Sequence, residues 1–149
     1  MSRIRGAGTK PEQAVRRILR EAGLRCRANA SGLPGRPDFV LPELRTVIFV
    51  HGCFWHCHRN CRYATSPSSN RSFWRKKLAR NLERDAENEV SLLRDGWRVL
   101  TVWECMIRDR RKHTIDLSKR VLRWLESPRR RGAIPRAAPR RAKHRVARR

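Results

Sequence analysis

The sequence predicts an α/β sandwich in which helices flank a central mixed β-sheet. Segments with helical apolar spacing alternate along the chain with short runs of β-branched residues, in the order α-β-β-α-β-α. The chain has 149 residues, the usual size of a domain with one core. We therefore expect one folded unit built around one sheet.

A helix and then strands make up the first half of the chain. Thr9 and Glu12 have the spacing of a capping box, and the apolar face of the helix that follows ends at Gly23. Three later segments are predicted as strands. They are 24–29, 38–42 and 45–50, the last two forming a hairpin.

A long helix, a strand and a last helix follow. Residues 72–96 place five apolar side chains at helical spacing, which predicts a buried face formed by Trp74, Leu78, Leu82, Val90 and Leu93. Residues 97–105, WRVLTVWEC, are typical of a strand. The last helix is predicted from about 114 to 125.

The net charge indicates what the protein binds. The chain carries 37 Lys and Arg against 13 Asp and Glu, a formal charge of +24. The phosphate backbone of nucleic acid is the usual partner of so basic a chain, and an acidic membrane is the competing one. The longest strictly apolar run is VIFV (47–50), and the first residues lack the apolar stretch of a signal peptide. We expect a cytoplasmic protein with no membrane partner.

The C-terminal end differs in composition from the rest. Residues 128–149 hold ten Lys or Arg, three Pro and no acidic residue. Such a stretch has too few apolar residues to form a core, which predicts a disordered tail that adds non-specific affinity for nucleic acid. The folded domain is then expected to span 1–127.

The stretch VHGCFWHCHRNC (50–61) contains three cysteines and three histidines in twelve residues. Structural zinc takes four Cys or His ligands, commonly a local group completed by a distant one. The candidates are Cys53, Cys57, His58, Cys61 and the strand-end Cys105. Reduced, metal-free cysteines are the alternative, because Cys is among the most buried residue types. Cys26 lies alone and is expected in the core.

Asp38 follows Gly-Arg-Pro at the start of a predicted strand. A carboxylate at a sheet edge suits Mg²⁺, which takes one or two carboxylates and leaves its other positions to water and phosphate. Taken alone, Asp38 fits better a turn in which the Asp side chain bonds its own backbone, which is a common structural device. The motifs around it decide between the two.

Four motifs together resemble a known family. GLPGRPDFV, VIFVHGCFWH, FWRKKLARNLERD and GWRVLTVWEC, in this order and spacing, closely resemble the very short patch repair (Vsr) endonucleases, from about Thr9 to Cys105. The resemblance implies a restriction-endonuclease-like fold, catalytic Mg²⁺ and a structural zinc. It also implies a bacterial DNA repair enzyme that nicks one strand on the 5′ side of the thymine in a T:G mismatch.

By position, the resemblance assigns catalytic roles. Asp38 matches the catalytic aspartate, which holds Mg²⁺ together with the backbone carbonyl of Val50. His51 and His56 match two catalytic histidines. The remaining matches are a helix-one glutamate, Glu12, and an acid that orients His56, Asp85. Glu12 could instead act only as a helix cap, and either histidine could instead ligate a metal or pack.

The resemblance also implies how a mismatch is detected. Phe54, Trp55 and Trp74 match the family's aromatic wedge, and Asn81 is a further expected DNA contact. Aromatic side chains inserted between base steps unstack a mismatched pair more easily than a matched one. Without the resemblance, these aromatic residues would be interpreted as core anchors.

The metal cluster departs from the family pattern by one residue. His58 lies three positions before Cys61, where the family commonly has two, so Cys57 and His58 compete for one coordination position. We favour zinc ligation by Cys53, His58, Cys61 and Cys105.

The expected partner is double-stranded DNA with a T:G mismatch, bound by a monomer, and other mismatch-repair proteins are further candidates. Two non-enzymatic alternatives have the same basic charge. A zinc-stabilised DNA-binding module would not need Asp38, and an Arg-rich structural RNA-binding protein would need neither Asp38 nor His56. Divalent-metal-dependent nicking separates them.

Overall fold

The computed structural model describes residues 8–108 and 110–135, with the side chains of 110–115 left undescribed. Ten elements follow one another along this part of the chain. They are α1 (Lys10–Glu21), β1 (Arg27–Ala28), β2 (Phe39–Leu41), a 3-10 turn (Pro42–Leu44), β3 (Thr46–His51), α2 (Arg71–Arg94), β4 (Arg98–Trp103), α3 (Cys105–Arg108), α4 (Arg110–Glu126) and β5 (Arg131–Ile134).

The five strands form one mixed sheet in the order β1-β2-β3-β4-β5. β1, β2 and β3 pair antiparallel, whereas β3, β4 and β5 pair parallel. The predicted mixed sheet with flanking helices is confirmed, and it is consistent with a restriction-endonuclease-like fold. β1 is shorter than predicted, and β4 ends at Trp103 rather than at Cys105, which begins α3.

The capping motif predicted for α1 is present in modified form. The Thr9 hydroxyl oxygen accepts a bond from the Glu12 N–H at 3.4 Å. The Glu12 carboxylate in turn accepts from the Gly8 N–H at 2.7 Å, one residue before the cap. Glu12 is 6% exposed, so its side chain is buried although Gly8 and Thr9 are exposed.

Alternate residues of the central strands pack on opposite faces of the sheet. Ile48 and Leu100 belong to a core cluster with α1 and α4 side chains, such as Leu19 and Val121. On the other face, Val40, Val47, Phe49 and Val99 pack with Leu92 of α2. The central strands are therefore covered on both faces. Cys26 is half-buried against the first cluster, as expected.

The apolar face predicted for α2 is wrong in part. Leu92 is the fully buried residue within Arg71–Arg94, whereas Leu82 is 45% exposed and Val90 is 62% exposed. The C-terminal end of the helix packs on the sheet, but its earlier turns lie beside a cleft. Helical spacing therefore predicted the helix correctly without identifying what it covers.

β5 corrects the prediction of a disordered tail from 128 onward. Residues 131–134 form a strand that pairs parallel to β4, so the prediction is wrong for them. Arg98 of β4 holds the connection from α4, because its guanidinium donates to four backbone carbonyls. The acceptors are Trp124, Leu125, Ser127 and Arg129. Residues 136–149 of the predicted tail lie outside the described residues.

Gly132 in β5 lies directly against the indole ring of Trp124. A Cβ atom at position 132 would lie 2.0 Å from the Trp124 Nε1 atom, so no side chain fits there without displacing the ring. This contact joins β5 to α4. In the described part of the chain, no helix is long and apolar enough to cross a membrane.

Candidate active site and metal cluster

A cleft of about 1190 Å³ lies between the sheet and α2. Its wall is formed by the turn before β2, the end of β3, the loop after β3 and the middle of α2, together with residues of α1, β4 and β5. The cleft brings together the five predicted catalytic residues: Glu12, Asp38, His51, His56 and Asp85. β5, which the sequence did not predict, also lines it through Arg131, Gly132 and Ala133.

Asp38 lies at the start of β2, and its side chain points to the neighbouring strand. Its Oδ2 atom accepts a hydrogen bond from the backbone N–H of Val50 at 2.7 Å. This bond crosses from β2 to β3, so the side chain does not simply close its own turn. The simple turn explanation considered for Asp38 is therefore insufficient.

Burial is the main influence on the ionisation of Asp38. The pKa of Asp38 is raised from 3.8 to about 6, mainly by burial and also by the neighbouring Glu12 carboxyl, while the hydrogen bond from the Val50 N–H lowers it. Two carboxyl groups thus share a partly dry site without an adjacent Lys or Arg among the groups that shift this pKa. A divalent cation would relieve that excess negative charge.

His56 is oriented by a carboxylate from α2. The His56 Nδ1 atom lies 2.5 Å from Asp85 Oδ2, and both side chains are about one-quarter exposed. If Nδ1 carries the proton in this bond, the lone pair of Nε2 is available. The arrangement suits a base that takes a proton from water.

His51 is the last residue of β3 and stacks on His56, with the ring centroids 3.7 Å apart. The pKa of His51 is lowered to about 3, mainly by burial and also by the nearby His56, while Asp85 opposes the shift. His51 is therefore neutral near pH 7. Ligand atoms of His51, His56 and Asp85 all lie within 4.8 Å of one another, so a metal could also be held here.

A second group of possible metal ligands includes residues of the same loop that carries His56. Ligand atoms of Cys53, His58, Cys61 and Cys105 all lie within 4.8 Å of one another. The His58 Nδ1 atom is 3.6 Å from the Cys53 sulfur and 3.5 Å from the Cys105 sulfur. Tetrahedral zinc ligation places nitrogen and sulfur ligands roughly 3.5 Å apart. Three sulfurs and one imidazole at this spacing fit zinc.

The structure distinguishes Cys57 from His58. Cys57 lies outside the four-residue group and lines the cleft, where burial and then the Asp85 charge raise the pKa of its thiol. His58 instead turns toward the sulfurs, and its ring stacks on Trp103 at 4.1 Å. The left-handed backbone of Cys57, with φ of 50°, separates the two side chains.

Glu104 is a supporting residue that sequence reasoning missed. Its Oε1 atom accepts the N–H of Cys53 at 3.1 Å, and its own N–H donates to the His51 carbonyl at 3.0 Å. Glu104 thus connects the metal cluster with the strand that carries His51. Its position in WEC, beside Cys105, was the available signal.

The predicted wedge residues form one aromatic cluster. Ring centroids of Phe54, Trp55 and Trp74 lie 5.1 to 5.8 Å apart in pairs. Asn81 donates from its side chain to the Trp55 carbonyl at 3.2 Å, so it supports the cluster. The three rings are half-buried, so they lie neither deep in the core nor fully exposed on the surface.

Two further residues of this cluster were not predicted. Phe73 packs against Trp74 with centroids 5.4 Å apart and is 57% exposed. The Lys77 ammonium lies between 5.5 and 5.8 Å from the rings of Trp55, Phe73 and Trp74. The sequence signal was their placement at helical spacing around Trp74.

A basic chain with a mixed sheet, a cleft that holds a buried carboxylate, and an Asp-oriented imidazole pair has the features of a DNA endonuclease. The family model described as DNA mismatch endonuclease Vsr matches residues 1–62. The chain is 43% identical to the DNA mismatch endonuclease Vsr of Escherichia coli (strain K12) over 126 residues, which are 84% of this chain and 80% of that protein.

Two type II nicking enzymes are also similar. V.XorIIP of Xanthomonas oryzae pv. oryzae is 45% identical over 109 residues, covering 73% of this chain and 79% of the enzyme. V.NmeAIP of Neisseria meningitidis is 43% identical over 110 residues, covering 74% of this chain and 78% of the enzyme. The chain therefore belongs to the Vsr family of DNA mismatch endonucleases, and the resemblance detected in its motifs is confirmed.

Proposed function

We propose that the protein is a Mg²⁺-dependent endonuclease that nicks one DNA strand on the 5′ side of the thymine in a T:G mismatch. Its family membership makes it a DNA nuclease, and the names of its relatives, mismatch endonuclease and nicking enzyme, support cleavage of one strand at a mismatch. The observation that carries the proposal is the convergence of Asp38, His51 and the His56–Asp85 pair in one cleft.

Mg²⁺ would be held by the Asp38 carboxylate and the Val50 carbonyl. The fit rests on the oxygen donors, on the burial of Asp38 and on the second carboxyl of Glu12. When bound, the ion would stabilise the negative charge that develops on the scissile phosphate. Binding would also favour the ionised form of Asp38, against the effect of burial.

His56 acts as the general base in this proposal. Water loses a proton to His56 Nε2. The hydroxide that forms attacks phosphorus while the bond from phosphorus to the leaving sugar oxygen breaks. Asp85 accepts the Nδ1–H of His56 and stabilises the imidazolium as it forms. His51, neutral and stacked on His56, is placed to hydrogen-bond the phosphate or the leaving oxygen.

Zinc would be held by Cys53, His58, Cys61 and Cys105, with a structural role. Four protein ligands leave no open coordination position for a substrate. The cluster would join the loop after β3 to the start of α3, and this loop also carries Trp55 and His56. By holding this loop, the bound zinc would fix the positions of Trp55, which is proposed to contact the mismatch, and of His56, the proposed general base.

Mismatch detection is assigned to Phe54, Trp55 and Trp74, with Asn81 as an additional contact. The half-buried aromatic cluster is adjacent to the cleft, since Trp55 immediately precedes His56 in the chain. Inserting aromatic rings between bases costs unstacking energy, and a mismatched step costs less than a matched one. This difference is the proposed source of preference for T:G.

Nicking of an end-labelled T:G duplex in Mg²⁺ or in EDTA tests the proposal. Asp38→Ala and His56→Ala should each lower the nicking rate by roughly 10²-fold or more, because each removes a group that acts in the transition state. Binding of the same duplex, measured at the same salt, should be retained. Asp95→Ala is the matched control, because Asp95 lies at the end of α2 and does not line the cleft.

Undiminished nicking by Asp38→Ala, or equal nicking in EDTA, would overturn the catalytic assignment. The zinc-stabilised DNA-binding module would be the better explanation if the wild-type protein bound T:G duplexes without cutting them. Cleavage of T:A duplexes at the same rate would remove the mismatch specificity while leaving the nuclease assignment in place.

A further inference from the structure

A second, smaller cavity adjoins the catalytic histidine. It has a volume of about 450 Å³, and His56 and Asp85 form part of its wall. The other residues that line it are polar or basic apart from a glycine: Gly35, Arg36, Asn81, Arg84 and Asn88. Two guanidinium groups therefore border the same cavity as the proposed general base.

The two arginines come from different elements that are in direct contact. Arg36 lies in the turn before β2, and Arg84 lies in α2. A Cβ atom at Gly35 would lie 2.9 Å from the Asn88 side-chain nitrogen, so the turn and the helix pack closely there. Gly35 has φ of 76° and Arg36 has φ of 48°, which fixes the direction in which the Arg36 side chain leaves the turn.

Neither guanidinium is neutralised within residues 8–108 and 110–135. Two acids of the cleft have other partners, because Asp85 bonds His56 and Glu89 pairs with Arg131. Arg36 and Arg84 are exposed, and no hydrogen bond or ion pair of their side chains occurs in this part of the chain. Each therefore presents unused donors to the cavity.

The charge distribution indicates the ligand. The cleft also holds the carboxyl groups of Glu12, Asp38 and Asp85, which would repel a phosphodiester backbone. Cations beside His56 would offset that repulsion and fix the path of the strand. Guanidinium groups suit phosphate because their fork of N–H donors matches its oxygens.

We propose that Arg36 and Arg84 form a phosphate-binding subsite that holds the backbone linkage next to the scissile one. This inference rests on the proposed function, since it takes DNA as the ligand of the cleft. The arginines are positioning residues. By anchoring the neighbouring phosphate, they set the distance between the scissile phosphorus and the water activated by His56.

The test is a double-substitution cycle between the protein and the DNA. Uncharged methylphosphonate linkages replace the phosphates near the mismatch one at a time, and binding is measured without added Mg²⁺. Arg36→Ala and Arg84→Ala should each weaken binding of the unmodified duplex by about 10-fold or more. Each should also lower the slope of log affinity against log salt by about 0.9 for each phosphate that the variant no longer neutralises.

At one linkage, the methylphosphonate should weaken binding by the wild-type protein but not further weaken binding by the arginine variants, since these lack the guanidinium that would bind the phosphate. Arg94→Ala is the control, because it removes the same charge from the same helix without lining the cavity. It should retain the full wild-type penalty at that linkage. Unchanged thermal midpoints would show that the variants fold normally.

Equal methylphosphonate penalties in the wild-type protein and in both arginine variants, at every linkage, would overturn the subsite. The proposed function is judged separately by wild-type nicking in Mg²⁺. If the wild-type protein does not nick DNA but the arginine variants lose the methylphosphonate penalty at one linkage, the subsite stands and the proposed function fails. If the wild-type protein nicks DNA but the penalties are equal in all variants, only the subsite is ruled out.

Discussion

His51 and His56 stack face to face, with their ring planes 4° from parallel and their centroids 3.7 Å apart. Two imidazolium charges at this separation repel each other, so the pair is expected to hold at most one proton near neutral pH. Burial is the main cause that lowers the pKa of His51 to about 3, so His51 stays neutral near pH 7. The two rings thus have distinct tasks despite their adjacent positions.

We expect the ring signals of His51 to show no titration between pH 8 and 5 in an NMR experiment. In His56→Ala the pKa of His51 should rise, because a like charge and part of the burial are removed, while staying below 6.5. The unfolded chain takes up this proton near pH 6.5 and the folded chain does not. His51 should therefore contribute to a loss of stability as pH falls from 6.5 toward 3. A His51 signal that titrates near 6.5 would contradict this.

Asp38→Asn should stabilise the metal-free protein at pH 7.5. The folded state binds the Asp38 proton more tightly than the unfolded state, so stability is lost as pH rises from about 4 to about 6. A shift of this size corresponds to roughly 2–3 kcal/mol as an upper figure. An amide has similar shape, carries no charge and can still accept the Val50 N–H. Denaturant unfolding in EDTA measures the difference.

Mg²⁺ should reverse that order. The wild-type protein should gain stability as Mg²⁺ is added, since the ion binds the folded state, whereas Asp38→Asn should gain much less. Asp95→Asn serves as the control and should respond like the wild type. An equal response in Asp38→Asn would show that Asp38 is not a ligand.

His58→Ala should lower the zinc content and the stability, while Cys57→Ala should leave one zinc per chain. His58 completes the group formed by Cys53, Cys61 and Cys105, and Cys57 faces the cleft. Removing one ligand from a structural zinc site is expected to cost several kcal/mol, because metal binding and folding are coupled. Metal analysis of purified protein, together with Co²⁺ absorption spectra, reports the ligands. Zinc loss in Cys57→Ala but not His58→Ala would reverse the assignment.

Trp74→Ala should reduce the preference for T:G over T:A duplexes more than it reduces binding to T:A. Stacking of a base on an aromatic ring contributes on the order of 1–3 kcal/mol, and T:A duplexes resist insertion. Binding titrations with the two duplexes at one salt concentration give the ratio. An unchanged ratio would return Trp74 to a packing role against Phe54 and Trp55.

Deletion of 136–149 should preserve the fold, whereas deletion of 128–149 should destabilise it. The longer deletion removes β5 together with Ile134, which is 5% exposed, and the Arg129 carbonyl that Arg98 binds. The shorter one removes seven of the basic residues and should weaken binding to all duplexes alike, with a lower salt dependence. Thermal unfolding and binding titrations of both truncations check these outcomes. Selective loss of T:G preference on the shorter deletion would contradict a non-specific role.

The elements that were predicted well from the sequence have their sequence signal within the element itself. α1 has its cap and its apolar spacing within one segment, and β3 is a run of β-branched and aromatic residues. β5 has no such signal, since RGAI follows two further arginines and contains few apolar residues. Its stability comes from β4, Trp124 and Arg98, which are distant in sequence.

The residues of the candidate site also divide into those with a local sequence signal and those without one. The residues expected in the cleft lie in compact motifs around Asp38, His51 and Asp85, and the structure gathers them. Arg36 and Arg84 were missed, because an exposed arginine in a chain with 37 basic residues has no local feature that distinguishes it. Their shared cavity depends on the packing of Gly35 against Asn88, which the sequence does not reveal.

The contact between Gly132 and Trp124 limits which substitutions are tolerated at these two positions. The 2.0 Å approach of a Cβ atom to the indole nitrogen means that any larger residue at 132 must displace the ring. A smaller residue at 124 would make room for it, although either change alone would leave a clash or a cavity. The two positions are therefore expected to change together, so that a mutation harmful at one becomes tolerable once the other has been replaced.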